Sequence, residues 1–459
     1  MVKLELERAE TRQEETGVRP ALVAQKVAEY QMGMEDSSLS EKERRVLALA
    51  QKQDRLLYYS FYLLLNFAED LAIERRIRKR GIVAMLSKAL DRSNVDLLLV
   101  AVQFLKKLSI FAENKEEMAD CGVVERILRR EACSPPQQQE ASAQRHGPRC
   151  RFVPVRNDEL LGLVLRTLQN LSFDRRLRDQ MVEGGLIAKA VEILPEAQFQ
   201  PVVLGLLYHI SMEDRYKSLF TYTGVIPMIR QQLLDVESLR QVPELIALTV
   251  NLTQNARNAE LMCQDGYFEL LVGKALKTHD DLMFKVLRNI SQVDSMGLKR
   301  MFKPYTERLV MMLQEGDVHA NVLVEALGIL GNLNLPEFGF EALVDKYDLI
   351  TFLAEALQPE VVEDDILLEI VVFLSVLCNA RTAGKIVKTP LIPLLMDLIT
   401  AKKQDDEFVL QITYLFLKLL SFPETAAVLI QHTQASTRCW LPWPQGHAPI
   451  SLWATRRRR

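Results

Sequence analysis

Polar residues recur near the ends of long apolar helical segments, and hydrogen bonding is the chemistry that they offer. The pattern is Leu-x-Asn followed by an apolar and a small residue, as in LQNLS around Asn170. We call the residue at the Asn position the anchor. The anchors are Asn66, Lys107, Asn170, His209, Asn251, Asn289, Asn332, Val376 and Leu419. An amide both donates and accepts hydrogen bonds, so these positions predict polar recognition of a partner or of a neighbouring segment.

Sequence motifs for covalent, phosphate or metal chemistry are missing from the chain. It contains no G-x-S-x-G, no G-x-G-x-x-G and no G-x-x-x-x-G-K-[ST], and its six histidines are scattered. Cys133, His146 and Cys150 share one segment, but their spacing matches no zinc pattern. We therefore predict no catalytic residue, no metal and no cofactor, and hence no enzyme.

Composition indicates which classes of partner are disfavoured and which cellular compartment is expected. The net charge is −3, which gives no overall attraction to nucleic acid. No apolar stretch reaches about 18 residues without a polar interruption, so no membrane insertion is expected. Six cysteines without a C-x-x-C pair and a charged N-terminal segment predict a reduced, cytoplasmic location.

The anchors recur at a nearly constant step, so the elements that position them belong to a repeat. Steps run from 38 to 44 residues, with one step of 63 between Lys107 and Asn170. A glycine stands fifteen residues after each of the first five anchors, at Gly81, Gly122, Gly185, Gly224 and Gly266. We expect such a glycine to end a short helix with φ > 0, a conformation that costs glycine little.

A unit of about 42 residues then contains three helices. A long apolar helix ends near the anchor, a short polar helix follows, and a second helix starts after the glycine. This layout is typical of armadillo repeats, whose units stack because none buries its apolar face alone. The sequence predicts an all-α armadillo-repeat superhelical solenoid with about eight to nine repeats.

Five segments are expected along the chain. Residues 1–36 are a poorly structured N-terminal segment with one weak helical stretch, LVAQKVAEYQM; 37–132 hold a long helix and the first repeats; 133–158 are a disordered inserted loop; 159–434 are the repeat array; and 435–459 are a non-repeat, disordered tail. Ser40 and Glu43 form a capping-box pattern at the start of the long helix.

The anchors and the residues four positions earlier share one face of the long helix. We predict that this face binds a partner peptide. The candidate groove residues are Tyr62, Asn66, Gln103, Lys107, Arg166, Asn170, His209, Asn251, Lys285, Asn289 and Asn332. The alternative is that each asparagine bonds a neighbouring repeat and holds the stack together, and both roles can coexist. A nuclear-import adaptor is disfavoured, since no residue four before an anchor is tryptophan.

Several segments resemble the kinesin-associated protein family, the accessory subunits of heterotrimeric kinesin-II. The most specific are FLKKLSIFAENKEEM (104–118), LQNLSFDRRLRDQMV (168–182) and LLYHISMEDRYKSLFTYTGVIP (206–227). The resemblance is collinear from about residue 56 to about 435. The 133–158 segment, the short N-terminal region and the Trp-rich segment after Ala435 depart from the family pattern, as a truncated or alternatively spliced gene model would.

The resemblance implies a non-catalytic adaptor that binds the tails of two different kinesin-II motor subunits. It would link them to transport cargo and cargo adaptors in microtubule-based, intraflagellar transport. It implies a location on the microtubule cytoskeleton and in the cilium or flagellum. The alternative is a generic armadillo scaffold for a small GTPase or a signalling or junctional partner, with no link to a motor.

Overall fold

The computed structural model describes residues 41–129, 157–358 and 362–435. These residues are helical with no strand among them, and they form two compact units, one within residues 1–185 and one within 186–459. The expected segments 1–36 and 435–459, apart from Ala435, lie outside the described residues, as do Ser40 and most of 133–158. No helix in the described ranges has both the length and the apolar character that crossing a bilayer requires.

The first unit contains one long helix followed by two repeats and the start of a third. Its helices are α1 (Glu41–Phe67), α2 (Leu71–Arg78), α3 (Ile82–Ala89), α4 (Val95–Leu108), α5 (Ala112–Asp120), α6 (Val123–Arg129), α7 (Asp158–Leu171) and α8 (Arg175–Glu183). The expected long helix before the first anchor is thus α1.

The second unit continues the same order of short, second and long helices. Its helices are α9 (Leu186–Ile193), α10 (Gln200–Ser211), α11 (Asp214–Lys217), α12 (Val225–Asp235), α13 (Pro243–Thr253), α14 (Ala256–Met262), α15 (Tyr267–Thr278), α16 (Asp281–Gln292), α17 (Met296–Met301), α18 (Thr306–Leu313), α19 (Ala320–Asn332), α20 (Glu341–Lys346), α21 (Leu349–Ala356), α22 (Asp364–Leu377), α23 (Ala383–Ile386), α24 (Leu391–Ala401), α25 (Asp406–Leu420) and α26 (Pro423–Ala435). Short 3₁₀ turns add Ser218–Tyr222, Leu239–Gln241, Lys303–Tyr305 and Pro336–Phe338. The predicted all-α armadillo fold is confirmed.

The long helices form because their apolar residues follow the helical period and their starts are capped. In α4, Leu97, Ala101, Phe104 and Leu108 are spaced by four, three and four residues and are all buried. The side chain of Asn94 accepts a hydrogen bond from the backbone N–H of Leu97 at 2.9 Å. Such a cap stabilises a helix by about 1 kcal/mol.

Other long helices begin in the same way. Asn157 caps α7, Asp280 caps α16 and Asp405 caps α25, each accepting from a backbone N–H three residues later. The residue that ends the expected insertion, Asp158, is therefore already the first residue of α7.

Four of the five repeat glycines have the expected left-handed backbone. Gly81, Gly122, Gly185 and Gly266 have φ between 64° and 76°. The prediction is wrong for Gly224, whose φ is −75°. There the short helix is prolonged by the 3₁₀ turn Ser218–Tyr222, and Thr223 in extended conformation makes the bend instead.

Candidate binding groove along the long helices

Within each unit, the long helix that ends a repeat packs beside the long helix of the next repeat. In the first unit α1 contacts α4, and α4 contacts α7. In the second unit the contacts run in order through α10, α13, α16, α19, α22 and α25. Within each unit the anchors therefore lie on a row of adjacent, long helices.

Four anchor asparagines donate a hydrogen bond to a hydroxyl at the C-terminal end of the preceding long helix. The donors and acceptors, from Nδ2 to the hydroxyl oxygen, are Asn170 to Ser109 at 3.0 Å, Asn251 to Ser211 at 3.0 Å, Asn289 to Thr253 at 3.4 Å and Asn332 to Ser291 at 2.9 Å. Each acceptor stands two residues after the preceding anchor. The small residue in the sequence pattern is thus the acceptor for the next repeat.

The backbone carbonyl just before an anchor is a second acceptor. Asn289 donates to the carbonyl of Val250 at 2.8 Å, and Asn170 lies 3.4 Å from the carbonyl of Lys106. Lys107 uses the same kind of acceptor, since its Nζ lies 3.3 Å from the carbonyl of Leu65. The anchors therefore connect successive repeats whether they are asparagine or lysine.

The last anchor is Lys418, and its assignment to Leu419 is wrong. Lys418 donates from Nζ to the carbonyl of Ser375 at 2.7 Å, which is the bond expected of an anchor. Leu419 is completely buried in the core. The string LKLLS favours Leu419, and the steps of 42 and 43 residues from Val376 to Lys418 and Leu419 both lie in the observed range, so only the packed helices identify Lys418.

Among the asparagine and lysine anchors that bond the preceding repeat, the type of anchor follows the acceptor which that repeat offers. Asparagine anchors meet Ser or Thr two residues after the preceding anchor, as described above. Lysine anchors follow repeats that carry Ala68 or Cys378 at that position. A short amide reaches the hydroxyl, while the longer lysine reaches past the missing hydroxyl to the backbone carbonyl.

The amide oxygens of the asparagine anchors remain open to a partner. Asn170, Asn251, Asn289 and Asn332 are all half-buried. Their Nδ2 groups are used within the stack, and no donor among the described residues bonds their Oδ1 atoms. One side of each amide is thus available to accept a hydrogen bond from outside.

The other predicted groove residues differ in exposure. Asn66, Arg166 and Lys285 are exposed, while Tyr62, Gln103 and His209 are half-buried. The predicted residues therefore fall on three helices of the first unit and on α10, α13, α16 and α19 of the second. Tyr62 also stacks on Tyr58, with ring centres 6.2 Å apart.

An ion-pair network crosses the row of long helices in the second unit. Arg288 on α16 pairs with Glu325 on α19 at 3.4 Å and with Glu369 on α22. Gly328 on α19 makes the crossing possible, because a Cβ there would lie 2.6 Å from Cζ of Arg288. This network was not predicted, since its members lie in three different repeats.

A cavity of about 420 Å³ opens between α19, α22 and α25. Asn332, Val376 and Lys418 line it, and these are the anchors of three successive repeats. Tyr414 and Leu410 add apolar surface, and half of the Tyr414 side chain is exposed. The cavity can take an apolar side chain next to an amide and a cation.

Residues suited to metal or thiol chemistry are not gathered at this groove. Within the described ranges, no three His, Cys, Asp or Glu side chains are grouped closely enough to bind a metal ion. Cys133, His146 and Cys150 lie outside those ranges. Burial raises the pKa of Cys263 to about 12 and that of Cys378 to about 11, which keeps both as thiols.

Comparison with known proteins agrees with this architecture. The family described as kinesin-associated protein (KAP) matches residues 1–440 of the chain. The crystal structure of an engineered protein is similar with a TM-score of 0.61 and 17% identity, covering 87% of this chain and 90% of that one.

A second similarity is to a structure from work on a phosphorylation switch that controls the interaction between cadherin and beta-catenin. Its TM-score is 0.49 at 15% identity, covering 88% of this chain and 85% of that one. The engineered protein shares the fold of this chain at low sequence identity, while the family match covers nearly the whole sequence.

Proposed function

The chain belongs to the kinesin-associated protein family, and from this premise we propose that it is a non-catalytic accessory subunit of heterotrimeric kinesin-II. In this role it binds the tails of two different motor subunits and links them to cargo or cargo adaptors. The family match over residues 1–440 is the observation that carries the proposal. The armadillo fold supports it, since stacked repeats offer long surfaces for protein–protein contact.

Within each unit, the row of anchors is the proposed contact surface for a motor tail or cargo peptide. Its open amide oxygens can accept hydrogen bonds from peptide N–H groups. Arg166 on α7 and Lys285 on α16 are exposed cations on helices that carry anchors, and they favour acidic side chains in the partner. The cavity beside Lys418 adds a place for an apolar side chain.

The proposed setting is microtubule-based transport, including intraflagellar transport in ciliated cells. A kinesin-associated protein works in the cytoplasm on the cytoskeleton, and the cilium is one destination of kinesin-II. The chain itself would not hydrolyse ATP in this scheme, because the motor subunits supply that activity.

Co-purification of the full chain with a pair of co-expressed kinesin-II motor tails tests the proposal. We expect a stable complex that Lys285→Glu weakens by about tenfold in Kd, since the change places a carboxylate in the groove. Lys277→Glu is the matched control: it reverses an exposed lysine on α15, outside the row of long helices.

Two results would contradict the proposal. One is no complex with the motor tails from a folded chain. The other is a chain that captures a small GTPase or junctional partner while no kinesin subunit is present. If the complex forms but Lys285→Glu and Lys277→Glu behave alike, the adaptor role stands and the groove is not the contact surface.

A further inference from the structure

The first short helix, α2, carries a cluster of exposed cations at its C-terminal end. Arg75, Arg76, Lys79 and Arg80 stand in the second half of α2 and in the turn that follows it, and all four are exposed. No carboxylate among the described residues pairs with any of them. We call these four residues the basic patch.

Cations on the later short helices are paired, in contrast to the basic patch. Each of those helices that carries an ion pair bonds a carboxylate of its own repeat or of a neighbouring one. The pairs are Arg176–Asp120, Lys217–Asp214, Arg257–Glu260, Arg300–Glu337, Lys346–Glu307 and Lys385–Asp345. The basic patch is therefore a place where the described chain supplies the cations but not the carboxylates.

Holding these cations together is unfavourable for the helix itself. Arg75 and Lys79 are four residues apart, as are Arg76 and Arg80, and like charges at that spacing repel one another. The helix dipole favours cations at a C-terminal end, but Arg78 already stands there and lies 3.5 Å from Glu113. A partner that brings carboxylates to the basic patch would relieve the repulsion.

The basic patch is turned away from the next short helix. At 100° per residue, Arg75, Arg76 and Lys79 fall within about 100° of one another around α2. Glu74 and Arg78 are the residues of α2 that bond side chains of α5. Their side of α2 is centred about 130° away from the three cations. A partner can therefore reach the basic patch without displacing a contact between repeats.

We propose that the basic patch binds an acidic segment of another protein, one with carboxylates on successive turns of a helix. Arg75 and Lys79 are separated by about 6 Å along the helix axis, as are Arg76 and Arg80. Two carboxylates spaced by four residues on a partner helix have the same separation, so each can meet one arginine and its neighbour. The planar guanidinium of arginine binds a carboxylate through two parallel hydrogen bonds.

The surroundings of the basic patch favour a protein carboxylate over a membrane or a nucleic acid. A helix that binds a membrane surface presents large apolar side chains beside its cations, whereas Ile73 and Ile77 of α2 are half-buried. Single-stranded nucleic acid stacks its bases on aromatic side chains, and α2 contains none. Arg78 and Glu113 already show that a cation of this helix bonds a carboxylate from a neighbouring helix.

Fluorescence anisotropy of the full chain with a labelled acidic peptide tests the proposal. The probe is a helical peptide of repeated Glu-Ala-Ala-Ala units, and the same peptide with glutamine in place of every glutamate is the neutral reference. At low salt we expect the glutamate peptide to bind at least about tenfold more tightly than the reference. Replacing Arg75→Gln together with Arg76→Gln should raise its Kd about tenfold.

A matched variant on α8 controls for the change in net charge. Arg175 and Arg176 are also adjacent, exposed arginines on a short helix of the same unit. Arg175→Gln together with Arg176→Gln removes the same charge and should change the Kd by less than about twofold. Thermal unfolding verifies that both variants are folded, and the midpoint of the α2 variant should not fall, because like charges are removed.

Three results would overturn the proposal. The first is an equal Kd for the glutamate and glutamine peptides. The second is an equal loss of binding in the α2 and α8 variants, which would indicate a response to net charge alone. The third is tighter binding of anionic phospholipid vesicles or of single-stranded RNA than of the peptide, abolished by the α2 variant. No motor tail takes part in the test, so a negative result here leaves the adaptor role unaffected.

Discussion

Arg288 and Glu369 form an ion pair although they stand 81 residues apart and in different repeats. The arginine passes over α19 at Gly328 and also meets Glu325 on that helix. The two glutamates of the network are largely shielded from solvent: 11% of the Glu369 side chain and 13% of the Glu325 side chain are exposed. Three successive repeats are therefore coupled by one side chain.

Gly328→Ala should reveal that coupling, because it should change the free energy of unfolding in opposite directions in the presence and in the absence of Arg288. In the native background it should lower the free energy of unfolding by about 1 kcal/mol, because the new Cβ displaces Arg288 from its carboxylates. In an Arg288→Ala background it should instead raise the free energy by up to about 1 kcal/mol, since alanine favours helix over glycine. Urea unfolding of the four chains measures the cycle. The same effect in both backgrounds would show that Gly328 does not serve the arginine.

Gly185 and Gly224 occupy the same position in two repeats but differ in φ. Comparing substitutions at the two positions therefore measures what a left-handed backbone contributes to stability. Neither glycine has an atom within 4 Å of an added Cβ, so crowding is absent at both. Gly185 has φ of +75°, and Gly185→Ala should lower stability by about 1 kcal/mol. Gly185→Val should cost more. Gly224→Ala should be neutral or slightly stabilising, because φ there is −75°. Thermal unfolding of each variant checks the contrast, which equal losses would refute.

Asn289→Asp should lower the stability of the chain more than Asn289→Ala does. The amide donates to the carbonyl of Val250 at 2.8 Å, and a carboxylate would place an acceptor against that acceptor. We expect a loss of about 1 kcal/mol for alanine and about 2 kcal/mol for aspartate at pH 7. Lowering the pH to 3 protonates the aspartate and should shrink the difference. A difference unchanged between pH 7 and pH 3 would argue against the bond.

Truncation of Lys418 should cost less stability than truncation of Leu419 and should affect binding more, if Lys418 is the anchor. Leu419→Ala opens a cavity in the core and should cost about 3 kcal/mol of stability. Lys418→Ala loses one hydrogen bond and should cost about 1 kcal/mol or less. Lys418→Ala should nonetheless weaken binding of the motor tails, since Lys418 lines the cavity. Calorimetry with the tails, alongside urea unfolding, separates the two effects.

Cys263 and Cys378 should resist alkylation in the folded chain. With a pKa of about 12, about one Cys263 thiol in ten thousand is ionised at pH 8. The pKa of Cys378, about 11, has the same consequence to a lesser degree. Labelling by iodoacetamide, followed by mass spectrometry, should be at least about a hundredfold slower than in urea. Because deprotonation rises with pH, the rate should increase from pH 8 to pH 9. Equal rates with and without urea would contradict the burial of these thiols.

The helix order, the repeat length and most of the glycine turns could be predicted because they depend on local patterns. Apolar residues at helical spacing and a glycine at a fixed offset act within a few turns of chain. Gly224 is the local exception: the 3₁₀ turn before it changes how the chain enters α12.

The coupling between repeats could not be predicted in the same way. Arg288 and Gly328 contact each other 40 residues apart, and neither residue type signals the contact. The acceptors of the anchors were present in the sequence as the small residue of each motif. Their partner is one repeat away, so only the packed helices reveal the pairing. For the final repeat, neither the step nor the local string LKLLS identifies Lys418, which only its bond to the carbonyl of Ser375 reveals.

The hydrogen bond between an anchor and its acceptor makes the residue type at the anchor depend on the residue type at the acceptor position one repeat earlier. A repeat that loses its hydroxyl leaves an asparagine in the next repeat without its acceptor, whereas a lysine there is unaffected. Substitutions at the two positions should therefore be inherited together among relatives of this chain, as the Ala68–Lys107 and Ser291–Asn332 pairs already illustrate within one molecule. A repeat that is moved alone keeps this bond at its border only if the anchor of its successor moves with it or matches the new acceptor.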